Sequence, residues 1–114
     1  MTVTIWHNPR CSKSRDTLAL IEDQGIEPKV RLYLKDSPNT SEITKTLDTL
    51  GIAPKDLMRT GEKLFRELGL SKDADPALLV AAMAAHPILI ERPVVFKGAR
   101  AAIGRPPRAV LDIL

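Results

Sequence analysis

The sequence predicts an α/β fold in which a β-α-β half and a β-β-α half share one sheet, with helices inserted between them. Three observations carry this. A β-branched and aromatic run, Val3-Thr4-Ile5-Trp6, precedes a helical pattern and then a second extended run. Helix start and stop signals crowd the middle of the chain. Near the C-terminus two apolar extended runs flank Lys97-Gly98, a pair suited to a hairpin turn. At 114 residues with 44% apolar content, the chain suits a single domain over residues 1–114 with one continuous core.

Val3 to Trp6 reads as a buried strand running into a loop at Asn8-Pro9. Helical patterning follows from about Ser12 to Gln24, with Leu18 and Ile21 on one face beside Leu20, and Gly25 as the stop. Lys29 to Leu34 alternates polar and apolar, giving a second strand, and the intervening helix makes the pairing parallel. Asn39 with Glu42 forms a capping-box signature before Ile43, Leu47 and Leu50, closed by Gly51. Pro54 to Met58 and Glu62 to Leu68, the latter stopped by Gly69, read as short helices. Asp75-Pro76 opens another, carrying Leu79, Val80 and Met83. Val94 to Phe96 and Ala99 to Ile103 form the hairpin strands. Pro106-Pro107 starts a last helix with Val110 and Ile113 inward. This is the order of a thioredoxin-like core, β-α-β then β-β-α, with a helical insertion.

Composition narrows the function. Seventeen basic residues against fourteen acidic ones give a net charge of +3, and the basic residues are scattered. That balance suits a small anionic ligand. Aromatics are only 4% of the chain, too few to stack bases, so nucleic acid is not expected as a partner. No apolar run approaches the roughly 18–20 residues a membrane span needs. The polar run from His7 to Arg10 interrupts the only candidate signal core, so a cytoplasmic location is expected.

The chain has one cysteine, Cys11. One cysteine allows neither an internal disulfide nor a Cys-x-x-Cys pair or zinc site. Any redox chemistry at Cys11 therefore needs a thiol from outside, and no metal site is expected. Cys11 falls at a strand-to-helix turn in a polar stretch from His7 through Arg15, whereas an inert core cysteine usually sits in an apolar run. Making a thiolate the main form at neutral pH takes roughly 2 kcal/mol of preferential stabilisation of the anion. A helix N-terminus supplies about 0.3–1 kcal/mol of it. Arg10, Lys13, Arg15 or a protonated His7 are candidates for the rest. The same helix start can bind an oxyanion. A cysteine phosphatase loop is excluded, because its Cys-x-x-x-x-x-Arg spacing would need arginine where Thr17 stands.

The string His7-Asn8-Pro9-Arg10-Cys11-Ser12-Lys13-Ser14-Arg15-Asp16-Thr17-Leu18 resembles the glutaredoxin-dependent arsenate reductase family, with its His-Asn-Pro-x-Cys and Ser-Arg-x-Thr-Leu. The likeness continues through Leu32-Tyr33-Leu34, Asp56-Leu57-Met58-Arg59, His86 to Val95 and Ile103-Gly104-Arg105-Pro106. The resemblance implies that Cys11 attacks arsenate held by Arg59, Arg92 and Arg105, whose planar guanidinium forks match an oxyanion. It further implies that His7 supports the thiolate and that Arg92-Pro93 is the cis-proline position. Glutathione is implied as co-substrate and glutaredoxin as partner, with arsenite as product and no bound cofactor. His86, ahead of Pro87, reads as a structural residue whose ring caps a helix end.

The chain departs from the family pattern at Ser12-Lys13, where a small pair such as Gly-Thr is usual. The departure bears on substrate identity more than on fold or cysteine chemistry. Two other functions fit the same frame. A glutathione-dependent thiol-disulfide reductase would direct Cys11 at disulfides, its arginines holding glutathione carboxylates. A redox regulator that binds RNA polymerase would often carry Cys-x-x-Cys, and here Ser14 occupies the second position.

Overall fold

A computed structural model describes residues 2–114, and its contacts divide the chain into two compact units. Among the described residues, the first, 2–36 with Arg92–Leu114, holds the sheet; the second, Ser37–Glu91, is helical.

In the first unit, β1 (Val3–Trp6), β2 (Lys29–Arg31), β3 (Val94–Lys97) and β4 (Arg100–Ile103) form one sheet in the order β2-β1-β3-β4. β1 pairs in parallel with β2 across helix α1 (Ser12–Asp23) and antiparallel with β3, which makes the hairpin with β4. This is the thioredoxin-like arrangement. Alternation along the strands sends Val3, Ile5 and Val95 to one face. There they pack with Ile21 of α1 and with Val110 and Ile113 of a C-terminal 3₁₀ helix, Pro107–Ile113. Trp6 lies on the other face, its ring 5.1 Å from that of Phe96, with the Arg31 guanidinium over it.

Three expectations need correction in this unit. β2 stops at Arg31 instead of reaching Leu34. Its partner ends at Trp6, opposite Arg31, and His7 N–H to Arg31 O is the last rung before Asn8-Pro9 turns away. Without a partner the chain turns, with Lys35 and Asp36 N–H both donating to Leu32 O. Tyr33 is buried while Leu32 and Leu34 stay exposed. The hairpin connection is Gly98-Ala99, one residue later than expected, so that β4 begins at Arg100. A tight two-residue turn needs a left-handed residue in its first central place, and Gly98 takes it at φ 58°. Finally, the last helix is 3₁₀. Residues three apart eclipse in such a helix, so Val110 and Ile113 still face the sheet together, and their spacing alone does not separate it from an α-helix.

In the second unit, α2 (Thr40–Leu50) begins with the expected capping box: Glu42 N–H donates to Asn39 Oδ1 at 2.8 Å and Asn39 N–H to Glu42 Oε1 at 3.2 Å. Short helices α3 (Pro54–Leu57) and α4 (Lys63–Glu67) follow, then α5 (Pro76–Ala85), capped by Asp75 Oδ1 on Ala77 N–H. Ile43, Leu47, Leu57, Phe65, Leu79, Met83, Leu89 and Ile90 are buried. Met58 leaves the expected short helix to pair with Ile90 in an isolated antiparallel bridge. At the end of α5 His86 stands at the C-cap, where its main-chain N–H closes the last helical bond, to Ala82 O. No helix among the described residues is long and apolar enough to cross a membrane.

Candidate active site around Cys11

Cys11 is the N-cap of α1, with extended backbone at φ −98° and ψ 123°, and its side chain makes no capping bond. The loop before it is held by its own polar groups. Asn8 accepts Cys11 N–H at its carbonyl (3.0 Å) and Arg10 N–H at Oδ1 (3.0 Å), closing a turn. Arg15, one helical turn on, donates from Nη1 to Pro9 O at 2.9 Å and ties the loop to α1. The first N–H groups of any helix have no intrahelical acceptor, so the start of α1 directs donors toward the region of the half-exposed thiol.

Ser14 is a buried hub. Its Oγ accepts Asn8 N–H at 3.0 Å and lies 2.7 Å from His7 Nδ1. A hydroxyl that accepts one N–H has a proton left to give, which suits a neutral His7 ring accepting at Nδ1. Burial, and then the charge of Arg15, push the His7 pKa below its ordinary value of 6.5. The shift favours the neutral ring, which agrees with Nδ1 facing the Ser14 hydroxyl and makes His7 a weaker source of positive charge for the thiolate. His7 orders the loop through Ser14.

The positive charge beside sulfur comes from Arg105, which sequence reasoning assigned to the oxyanion alone. Its Nη2 donates to Cys11 Sγ at 3.7 Å and its Nε to Arg92 O at 2.9 Å. A guanidinium can serve both acceptors because its donors diverge in a rigid fork. A permanent cation next to a thiol is the surrounding that reactive cysteines use. Arg92 enters this constellation through its carbonyl and precedes Pro93 across a cis peptide bond. The Arg105-Pro106 bond is cis as well. Arg59 lies in the second unit, directly after the Met58 bridge, with its N–H on Leu89 O at 2.7 Å. Among the described residues, no three His, Cys, Asp or Glu side chains are grouped to hold a metal ion.

The ArsC family model matches residues 6–113, a span that begins just before His7 and runs past Arg105. This chain belongs to the ArsC family. Within the ArsC family it is similar to the arsenate reductase of Haemophilus influenzae, 47% identical over 116 residues that cover 100% of both chains. The Escherichia coli K12 protein called Uncharacterized protein YfgD is 44% identical over 98% of this chain and 96% of its own. The solved structure of an arsenate reductase from Vibrio cholerae superposes with a TM-score of 0.96 at 49% identity, covering 100% of this chain and 98% of that one.

Sequence reasoning about the ArsC site missed the hydrogen bonds that Ser14 makes within it. Ser14 and Thr17 had signalled themselves as small polar residues on the apolar face of α1, a pattern that marks a close or hydrogen-bonded contact. Two tests arise here. Ser14→Ala strands both Asn8 N–H and His7 Nδ1 in a buried setting, and about 1–3 kcal/mol of stability is expected to be lost, read from denaturant unfolding. The His7 shift also has a sign. Its folded-state pKa lies below the unfolded 6.5, so as pH falls through 6.5 the unfolded chain takes up the proton first and stability drops. Unfolding midpoints compared at pH 7.5 and 5.5 are expected to fall less in His7→Gln than in the wild type; equal falls would remove His7 as a source of the acid sensitivity.

Proposed function

We propose that this protein is an arsenate reductase that works with glutathione and glutaredoxin. The observation that carries the reading is the donation from Arg105 to Cys11 Sγ at 3.7 Å, which puts a cationic oxyanion ligand and a nucleophile side by side. Membership of a family whose named relatives include arsenate reductases supports arsenate as the oxyanion.

In this mechanism arsenate docks against Arg105 and Arg92, with the N–H groups at the start of α1 among its donors. Arg59 enters on its motif position. The Cys11 thiolate attacks arsenic, an S–As bond forms, and one arsenate oxygen leaves as water after taking up protons. Arsenic is still pentavalent at this stage. Glutathione sulfur then bonds to arsenic and a second oxygen leaves as water. The glutaredoxin thiolate attacks the glutathione sulfur, the S–As bond to glutathione breaks with its electron pair left on arsenic, which becomes trivalent, and a glutathione–glutaredoxin disulfide forms. Water cleaves the remaining Cys11–arsenic bond, releasing arsenite and the Cys11 thiol. Overall, two thiols become one disulfide, arsenate loses one oxygen as water, and arsenite leaves. The chain's one cysteine makes the external thiols obligatory. His7 acts through Ser14 to hold the loop.

The test is NADPH consumption in a coupled system of glutathione, glutathione reductase and glutaredoxin, with and without arsenate. Arsenate-dependent consumption that needs glutaredoxin is expected. Turnover of a glutathione mixed disulfide with none on arsenate would replace the reading with a thiol-disulfide reductase. Recovery of RNA polymerase in a pull-down, with neither activity, would replace it with a regulator.

A further inference from the structure

Gly104 is buried, and it is not among the glycines with a left-handed backbone. What excludes other residues is space. A Cβ built there would lie 2.6 Å from Thr17 Oγ1, 3.0 Å from Thr17 Cγ2 and 2.8 Å from Pro93 Cγ. None of these neighbours yields easily. Thr17 is fully buried on α1 with its hydroxyl donating to Lys13 O at 2.8 Å, and Pro93 is a buried ring whose carbonyl accepts Gly104 N–H at 2.9 Å.

Two rigid bodies therefore meet at this point. One is α1, carrying Cys11 at its cap and Thr17 a turn and a half later. The other is the paired segment Arg92-Pro93 and Gly104-Arg105, locked by Gly104 N–H on Pro93 O and Arg105 Nε on Arg92 O. Thr17 against Gly104 is one contact between the bodies, and Arg105 against Cys11 Sγ is another. The first limits how closely the second can form. We propose that Gly104 is a positioning residue: its missing side chain lets Thr17 seat against the chain ahead of Arg105, and this seating sets the distance between the guanidinium and the sulfur. The inference rests on the reading of Arg105 as the cation serving Cys11.

A methyl group at position 104 must push Thr17 and Pro93 out to ordinary contact, a movement of roughly 1 Å, because non-bonded carbon atoms sit near 3.5–4.0 Å. That displacement moves Arg105 off the sulfur. The test is the rate at which iodoacetamide alkylates Cys11 at pH 7, followed by mass spectrometry, in wild type, Gly104→Ala, Thr17→Ile and the double variant Gly104→Ala/Thr17→Ala. Thr17→Ile presses on the same contact from the helix side. The double variant removes both Thr17 atoms that clash. Gly104→Ala and Thr17→Ile are each expected to alkylate severalfold more slowly, because alkylation goes through the thiolate and a guanidinium moved off the sulfur no longer favours that anion. The double variant is expected to recover at least about a third of the wild-type rate, because it relieves two of the three clashes and close residues couple non-additively.

Wild-type rates in Gly104→Ala, or a double variant no faster than Gly104→Ala, would overturn the spacing role. If Gly104→Ala does not fold, a wild-type rate in Thr17→Ile, or a double variant no faster than Thr17→Ile, overturns the role instead. A parallel series with sodium arsenate keeps the two readings apart. Failure of arsenate to protect wild-type Cys11 counts against the oxyanion site, while the rates without arsenate still report the spacing.

Discussion

Cys11→Ser is expected to lower arsenate-dependent NADPH consumption to the level of the reaction without protein, while the fold becomes no less stable. A serine hydroxyl holds its proton at neutral pH and is a far weaker nucleophile than a thiolate. No second cysteine exists to take over. The stability half of the expectation comes from the cap. Cys11 occupies the N-cap of α1 in extended conformation and makes no side-chain bond to the first turn. Serine is among the best residues for that place, because its oxygen accepts an N–H of the first turn, and a cap of this kind contributes about 0.5–2 kcal/mol. The cysteine thus occupies a position where a non-nucleophilic residue would hold the helix better. Equal or higher thermal stability with activity gone would separate chemistry from folding in one variant. Arsenate reduction at the wild-type rate in Cys11→Ser would end the covalent mechanism.

Arg105→Lys is expected to cost about a hundred- to a thousandfold in kcat/KM for arsenate, the size of effect seen when a single preorganised donor is removed from an anion site. Charge is retained in this variant, so the loss measures geometry. In the wild type the guanidinium bonds Arg92 O and Cys11 Sγ together, at 2.9 and 3.7 Å. Lysine has one ammonium on a flexible stem and lacks the planar fork that holds two divergent acceptors and an oxyanion together. Arg105 is solvent-exposed, so the effect on stability is expected to stay within about 1 kcal/mol, the net worth of its bond to Arg92 O. Steady-state kinetics on Arg105→Lys beside a denaturation curve would check both. An activity within threefold of wild type would show that a positive charge suffices and that the fork does not matter.

Much of this protein could be read from local chemistry. Val3 to Trp6 and Val94 to Phe96 form strands because β-branched and aromatic residues suit a buried pleat. Asn39 with Glu42, and Asp75 with Pro76, mark helix starts because capping is settled within three residues. Cys11 could be placed at a helix start for the same reason, and its string of neighbours pointed to its family. Where pairing rather than propensity decides, the sequence was ambiguous. Leu32 to Leu34 alternates like a strand, yet β1 has already turned away and offers it no partner. The hairpin turn moved by one residue because Gly98 has to occupy the left-handed place.

The residues around the thiol divide in the same way. One cysteine, a basic excess and the arginine motif positions are sequence properties, and from them came the expectation of an anionic ligand and of outside thiols in any redox cycle at Cys11. Which cation stands beside the sulfur was settled only by tertiary structure. His7, four residues away, is pushed toward its neutral form because the fold buries it and Arg15 lies near it, whereas Arg105, distant in the chain, donates to Sγ at 3.7 Å. Burial and distance depend on all the elements that pack together, and no local stretch encodes them. Gly104 makes the point in its simplest form: in the sequence it is one letter of the motif around Arg105, and in the fold its missing side chain is the space that Thr17 and Pro93 border.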